Sequence, residues 1–483
     1  MLNDVASNCI VYKIFKNLKN KRKLNIVKYN KVLLKRLAIT IEDFKVYEVL
    51  KDFNINYKLN IGDIDIKNLN LINKNIRNEG FEYLSKIGFK ELIKLDLYYN
   101  RISNINSLDK INCEKLKILN LGDNKILDIN ILEKVNFKEL IEFTLNNNEI
   151  SDINVLERVN LYKLNKLNFY KNEISDISVL DKVNFKQIKI LNLNENKISD
   201  ISVLGKVNFK QLKDLNLGSN RISNINIFED AKFEELNKLD LSNNQISNIN
   251  ILAKVDFKQL KELNLYINEI SDINVLKFVD FKELITLNLG SNKITDINVL
   301  EELNSKKLKL INLSRNRIQN INILERVDFK ELEELNLNDN KILDINVLDK
   351  VDFKELKILK FNYNAISDIS VLENVNFIEL QELNLTSNRL KNINILEKVN
   401  FKKLIKLDLG ANKISDINIL EKVDFKELKE LNLNHNEISD ISILKKANFE
   451  ELEELFMIAN QINTEENKTT IEYLESIINL FCI

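Results

Sequence analysis

One phrase returns every 24 residues through most of this 483-residue chain, and it leaves room for little but a stacked array. The stretch Leu116–Glu139, LKILNLGDNKILDINILEKVNFKE, opens with Leu-x-x-Leu-x-Leu-x-x-Asn-x-Ile, and the same phrase restarts at Leu140. Its Asn recurs from Asn100 and Asn124 to Asn436 and Asn460, sixteen times in one unbroken register. A unit this short cannot bury an apolar side by itself. Self-similarity at a fixed interval therefore predicts units that pack on their neighbours and share one continuous core.

Within the unit, Leu119 and Leu121 alternate with polar residues, which predicts a short strand with its leucines facing inward. In the second half, Ile129, Leu132 and Val135 fall three apart, with Asp128 placed to cap, so a short helix or 3-10 turn is expected on the outer face. The remaining apolar positions, Leu116, Ile126 and Phe137, complete the interior. Strands from successive units are expected to form a parallel sheet. The recurring Asn suits the inward turn after each strand. Its amide carries donors and an acceptor, so it can satisfy the turn of its own unit and that of a neighbour. Leaving such groups unpaired in the interior costs about 1–3 kcal/mol each. All sixteen Asn are read as structural.

The array divides the chain. Residues 1–56 do not repeat, and their apolar residues recur at helical spacing, which suggests two or three short helices. Residues 57–91 comprise an alternating stretch, YKLNIGDIDI at 57–66, expected as an entry strand, and a degenerate first unit, Ile66–Glu91, with Lys74 in place of the Asn. Residues 92–463 hold the sixteen regular units. Residues 464–483 place Ile471, Leu474, Ile477, Ile478 and Phe481 on one face and are expected to form a C-terminal capping helix, with Cys482 in its packing.

The phrase, as in LKELNLNHNEI at 428–438, resembles leucine-rich repeats, and with the following SDISIL it looks most like the internalin-like and phosphatase-regulator-like subclass. The resemblance covers residues 66–463. It implies an α/β solenoid of horseshoe form, with a parallel sheet on the concave face, short helical or 3-10 turns on the convex face, and a protein ligand bound on the concave side. Residues 8–38, NCIVYKIFKNLKNKRKLNIVKYNKVLLKRLA, resemble an F-box through Lys13-Ile14-Phe15, Leu18, Leu24 and Lys35-Arg36-Leu37-Ala38, without the opening Leu-Pro or the late aromatic. That resemblance implies a substrate adaptor that docks to a ubiquitin-ligase core protein. The other reading of residues 1–56 is a helical cap.

On the solvent side of the predicted sheet, the residue between the two strand leucines is mostly Asn or Asp, from Asp96 and Asn120 to Asn432. Such a ladder is read as a solvated surface that discourages sticking. The exceptions are the candidate partner contacts: Tyr98, Tyr99 and Ile118, with Lys94 beside them; Tyr170 and Ile190; Tyr266 and Ile267; Ile358, Lys360 and Tyr363; and Phe456. Interface hot spots favour large aromatic and cationic side chains. Fifteen steps of about 4.8 Å give an inner face on the order of 70 Å long, suited to a protein or an extended segment.

The rest of the composition argues against other classes. Basic and acidic residues number 71 and 72, so no bulk electrostatic partner is implied. Ten basic residues and no acidic one lie between Lys13 and Arg36, but with only Phe15 and Tyr29 as aromatics among them, so no nucleic-acid partner is expected; KNKRK at 19–23 has the form of a nuclear import signal. Cys9, Cys113 and Cys482 are odd in number and far apart, as expected of reduced thiols. No leader-type apolar run opens the sequence and no run approaches 18 apolar residues, so a cytoplasmic or nuclear protein without a membrane span is expected. A secreted, host-contacting protein is the contrary reading, and the two sequons at Asn384 and Asn467 are expected by chance in a chain so rich in Asn. His435 is the only histidine, and no phosphate loop, nucleophile elbow or zinc-protease motif occurs, so neither an enzyme nor a cofactor is expected.

Overall fold

The computed structural model describes residue 35 and residues 41–62, 64–89, 91–111 and 113–483. The F-box-like stretch 8–38 and the basic run Lys13–Arg36 lie outside the described residues, apart from Lys35. The chain forms two compact units, residues 1–215 and 216–483.

In the first unit, helix α1 (Ile41–Asn56) packs against helix α2 (Arg77–Ile87), with Phe53 fully buried beside Tyr57 and Tyr83. Strands β1 (Asn68–Asn70), β2 (Lys94–Asp96), β3 (Ile118–Asn120), β4 (Glu142–Thr144), β5 (Lys166–Asn168) and β6 (Ile190–Asn192) pair in chain order, all parallel. The expected entry strand at 57–66 does not form among the described residues. Its physical reason is local: the Asn54 side chain both donates to the Ile61 carbonyl (3.0 Å) and accepts from the Ile61 N–H (2.8 Å), which takes those backbone groups out of any ladder. The degenerate unit supplies the first strand instead, and α2 stands where later units have a 3-10 turn. Strand β7 (Asp214–Asn216) lies where the two units meet in sequence.

In the second unit, strands β8 (Lys238–Asp240), β9 (Glu262–Asn264), β10 (Thr286–Asn288), β11 (Leu310–Asn312), β12 (Glu334–Asn336) and β13 (Ile358–Lys360) continue in the same manner. They are followed by β14 (Glu382–Asn384), β15 (Lys406–Asp408), β16 (Glu430–Asn432) and β17 (Glu454–Phe456). Every pair within this run is parallel and joins residues 24 apart, as in Leu287↔Ile311. The C-terminal segment departs from expectation. Helix α3 is confined to Lys468–Ile477, and Leu480–Cys482 form an eighteenth strand, β18, that pairs in parallel with β17. Leu474 and Ile478 face inward, whereas Ile477 is exposed.

The unit is built as its pattern requires. Leu116, Leu119, Leu121, Ile126, Ile129, Leu132 and Phe137 are all essentially inaccessible. The outer turn is a 3-10 helix, Asn130–Lys134, and Asp128 Oδ1 accepts the Asn130 N–H at 2.8 Å, so the acid caps the turn. Asn124 does what an interior amide should. Its Nδ2 donates to the carbonyls of Leu97, Leu121 and Gly122, and its Oδ1 accepts the N–H groups of Asn100 and Ile102. Asn124 thereby ties the turn of its own repeat to the repeat before, and Asn148 and Asn292 do the same.

The residue just before each of these Asn, from Tyr99 to Ala459, has φ between 50° and 59°. None is Gly. The left-handed region costs an L-residue about 1–2 kcal/mol, least for Asn and Asp. The corner demands it because the N–H there donates across to the next unit, as Ile267 does to the Gly290 carbonyl at 3.0 Å.

Candidate protein-binding face

The solvent side of each short strand presents two residues, and the corner that follows presents two more. In the unit containing β3 these are Ile118 and Asn120 on the strand, then Gly122 and the left-handed Asp123. The Asn or Asp between the strand leucines is more than a solvating residue. In all thirteen regular units that carry one, and at Asn70 in the degenerate unit, its Oδ1 accepts the N–H two residues on, closing the corner from the strand side. The ladder, expected only to solvate the face, also holds the corners closed.

Two candidates occupy that position, and the chain around each is rewired. Lys360 cannot accept, and the Asn362 N–H turns back to Asn338 Oδ1 (3.0 Å) in the preceding unit. Phe456 cannot accept either, and the Ile458 N–H goes to Asn434 Oδ1 (2.6 Å). Lys360 is also not a free cation: its ammonium lies 3.8 Å from Glu334 and 3.5 Å from Glu382, one carboxylate from each flanking strand.

The other candidates sort by position. Ile118, Ile190 and Ile358 stand on strands and are half-buried, as is Phe456; Ile358 borders a shallow depression lined also by Glu382, Ile405 and Lys406. Tyr98, Tyr170 and Tyr266 occupy the first corner position and are half-buried. Two of these phenols are held: Tyr98 donates to Asp123 (2.9 Å) and Tyr170 to Glu195 (2.8 Å), each in the following unit. The hydrogen bond to the carboxylate, then burial, keeps either phenol above its ordinary range. Tyr266 lies against Gly290, where an added Cβ would come within 3.0 Å of its ring.

Of these candidates, only those in the left-handed seat present large apolar surface freely. Tyr99 is 50% exposed, Ile267 40% and Tyr363 59%. Ile458, at the first corner position, is 46% exposed and was not among the expected contacts, nor was Ile72 at the matching place in the degenerate unit. Both carry the same signal as Tyr98 and Tyr266, a large apolar residue where Gly, Ser and Asn prevail. Within the first unit the structure brings Tyr98 and Tyr99 together, with ring centroids 6.4 Å apart. In the second unit Tyr266 and Ile267 share one corner, and Ile358 and Lys360 one strand.

Among the described residues no three of His, Cys, Asp and Glu converge as a metal site, and no helix is long and apolar enough to cross a membrane.

No family model and no curated protein matches this sequence. Solved structures do. A leucine-rich repeat protein of Leptospira interrogans is 26% identical with a TM-score of 0.66, the match covering 80% of this chain and 95% of the other. An internalin of Listeria monocytogenes is 24% identical with a TM-score of 0.54, over 82% and 94% of the two chains. The fold is a leucine-rich repeat solenoid. The same fold is shared at 18% identity and a TM-score of 0.51 by the plant peptide hormone receptor RGFR1, solved in complex with RGF2, over 83% of this chain and 79% of that one. In leucine-rich repeat terms, the thirteen Asn and Asp residues cap corners, the sixteen interior Asn bind turns, and the sheet face and its corner edge are left to vary.

Proposed function

We propose that this protein is a non-enzymatic interaction scaffold that binds a protein partner on the sheet, or concave, face of its repeats. The observation that carries the reading is the exposure of Tyr99 in the first compact unit, and of Ile267 and Tyr363 in the second, each among positions that are mostly small or polar. Large apolar groups held in water by a rigid scaffold are the usual anchors of a protein interface. The complex of RGFR1 with RGF2 supports it as a use of the same fold. We place the protein in the cytoplasm or nucleus, with residues 1–56 as a cap on the array and residues 464–483 closing its other end.

Affinity capture from the source cell, read by mass spectrometry, tests this. The full chain is compared with the chain lacking residues 1–56 and with the variant Tyr99→Ser, Ile267→Asn, Tyr363→Asn. A partner held by the first two and lost by the third is the expected result. A partner retained equally by the third refutes the assignment of this face. The adaptor reading, with residues 8–38 docking to a ubiquitin-ligase core, rests on the sequence match alone; it requires ligase components that only the full chain recovers.

A further inference from the structure

Ile267, Tyr363 and Ile458 are the large apolar groups that the corner edge of the 216–483 unit leaves exposed. We propose that they are three anchor posts for an uncharged, extended segment of the partner, lying along the corner edge and crossing the strands. This deepens the reading that the face binds a protein and rests on it.

Conformation is the first argument. Ile267 has φ 53° and Tyr363 φ 57°, in a seat that Asn243, Ser291, Asp339 and Ser387 fill elsewhere. A β-branched residue there is an outlier in its own right. Burial does not offset the strain, because both side chains stand in water. The left-handed backbone belongs to every corner, but filling it with a β-branched or aromatic side chain has no return within the fold and marks a contact made outside it. In repeats 12 and 16 the corner hydrogen bond is also passed to Asn338 and Asn434, and those repeats carry Tyr363 and Ile458.

Spacing decides the kind of partner. The posts follow β9, β13 and β17, so neighbours are four strands apart, roughly 19 Å at about 4.8 Å per strand. An extended chain covers that distance in about six residues at roughly 3.3 Å each. Six is even, so side chains i, i+6 and i+12 all point to the same side. A helix needs about 13 residues at 1.5 Å each, which at 3.6 residues per turn puts successive anchors on opposite faces. An extended segment meets all three posts; a straight helix does not.

Charge supplies the rest. Between the posts the edge carries small neutral residues such as Gly290, Ser314 and Gly410. Arg315 lies 3.9 Å from Asp339, and Lys360 sits between two glutamates, so a charged ligand finds no uncompensated charge there.

Panning a phage library of random 16-residue peptides on the full chain tests this, with selected peptides synthesised and titrated by fluorescence anisotropy. We expect uncharged peptides with large apolar residues six apart, each weakened at least tenfold by Ile267→Asn, Tyr363→Asn or Ile458→Ser. Ile267→Asn also relieves the left-handed seat, so its melting temperature is expected to equal or exceed the parent's, separating lost binding from lost fold. Peptides that bind the triple variant unchanged, carry a strong net charge, or turn helical by circular dichroism overturn the proposal, as does a library without binders. Binding lost on Ile358→Asp but indifferent to the three posts overturns it while sparing the sheet-face reading. Indifference to both sets defeats both.

Discussion

Replacing Asn292 by Ala tests the interior amide in the middle of the array. Asn292 Nδ2 donates to the carbonyls of Leu265 (3.0 Å), Leu289 (3.0 Å) and Gly290 (3.1 Å), and Oδ1 accepts the Ile270 N–H at 3.0 Å. The four losses are unequal. The Leu265 carbonyl keeps Asn268, the Leu289 carbonyl keeps Asn316, and the Gly290 carbonyl keeps the Ile267 N–H. The Ile270 N–H has no second acceptor in the structure and is left unpaired in a buried site. Orphaning one buried donor costs about 1–3 kcal/mol, and weakening three shared carbonyls adds roughly 1 kcal/mol more. Asn292→Ala should therefore destabilise the chain by about 2–4 kcal/mol in urea unfolding followed by circular dichroism. Because coupling in a repeat array runs through nearest neighbours, the transition should also broaden. Hydrogen exchange gives the local reading: the Ile270 amide should lose its protection while amides several repeats away keep theirs. A loss below about 0.5 kcal/mol, or an Ile270 amide as protected as before, would refute the view that this column holds the turns together.

Other consequences are open to measurement. Asn338→Ala should destabilise by about 1–2 kcal/mol by orphaning the Asn362 N–H, and adding Lys360→Asn should restore most of that, since the new amide can close its own corner; a double-mutant cycle with no coupling would contradict the rewiring. Burial pushes the Cys113 thiol up to about 12, so the native chain should leave it unreactive toward thiol reagents at pH 8 until denaturant is added. Its folded value lies above the ordinary 9.0, so its contribution to stability is complete below pH 9 and is lost between about pH 9 and 12; urea midpoints measured across that range should fall.

Much of this architecture is written in the spacing of residues. The period of 24, the strand leucines and the buried Asn each follow from needs that recur in every unit, so sixteen copies expose them. What escaped is what depends on geometry between units. Asn120 and its counterparts read as residues that only solvate the face, because sequence alone does not say whether a side chain faces water or folds back on the N–H two residues on; an Asx turn after each strand is the available clue. Lys360 reads as an available cation until the flanking Glu334 and Glu382 are seen one strand away on either side. The strand Leu480–Cys482 is three residues long and sits 26, not 24, residues after its partner, so no periodicity announces it. Exposure separates Ile267 and Tyr363 from Ile118 and Ile358, and that difference lies in the corner's backbone.

The shared carbonyls make the length of this array a quantised variable. Leu265 offers its oxygen both to Asn268 and to Asn292, and Leu289 does the same for Asn292 and Asn316. An extra block of 24 residues spliced in after Asn268 meets the same donors and acceptors on both sides, whereas a block of any other length puts a leucine or a lysine where an amide must sit. Gain or loss of a block moves one post relative to the next by a single strand width, about 5 Å. The molecule is thus a ruler whose ticks are set by its hydrogen bonds, and a ligand of different stride can be met by recounting units with the side chains that touch it left as they are.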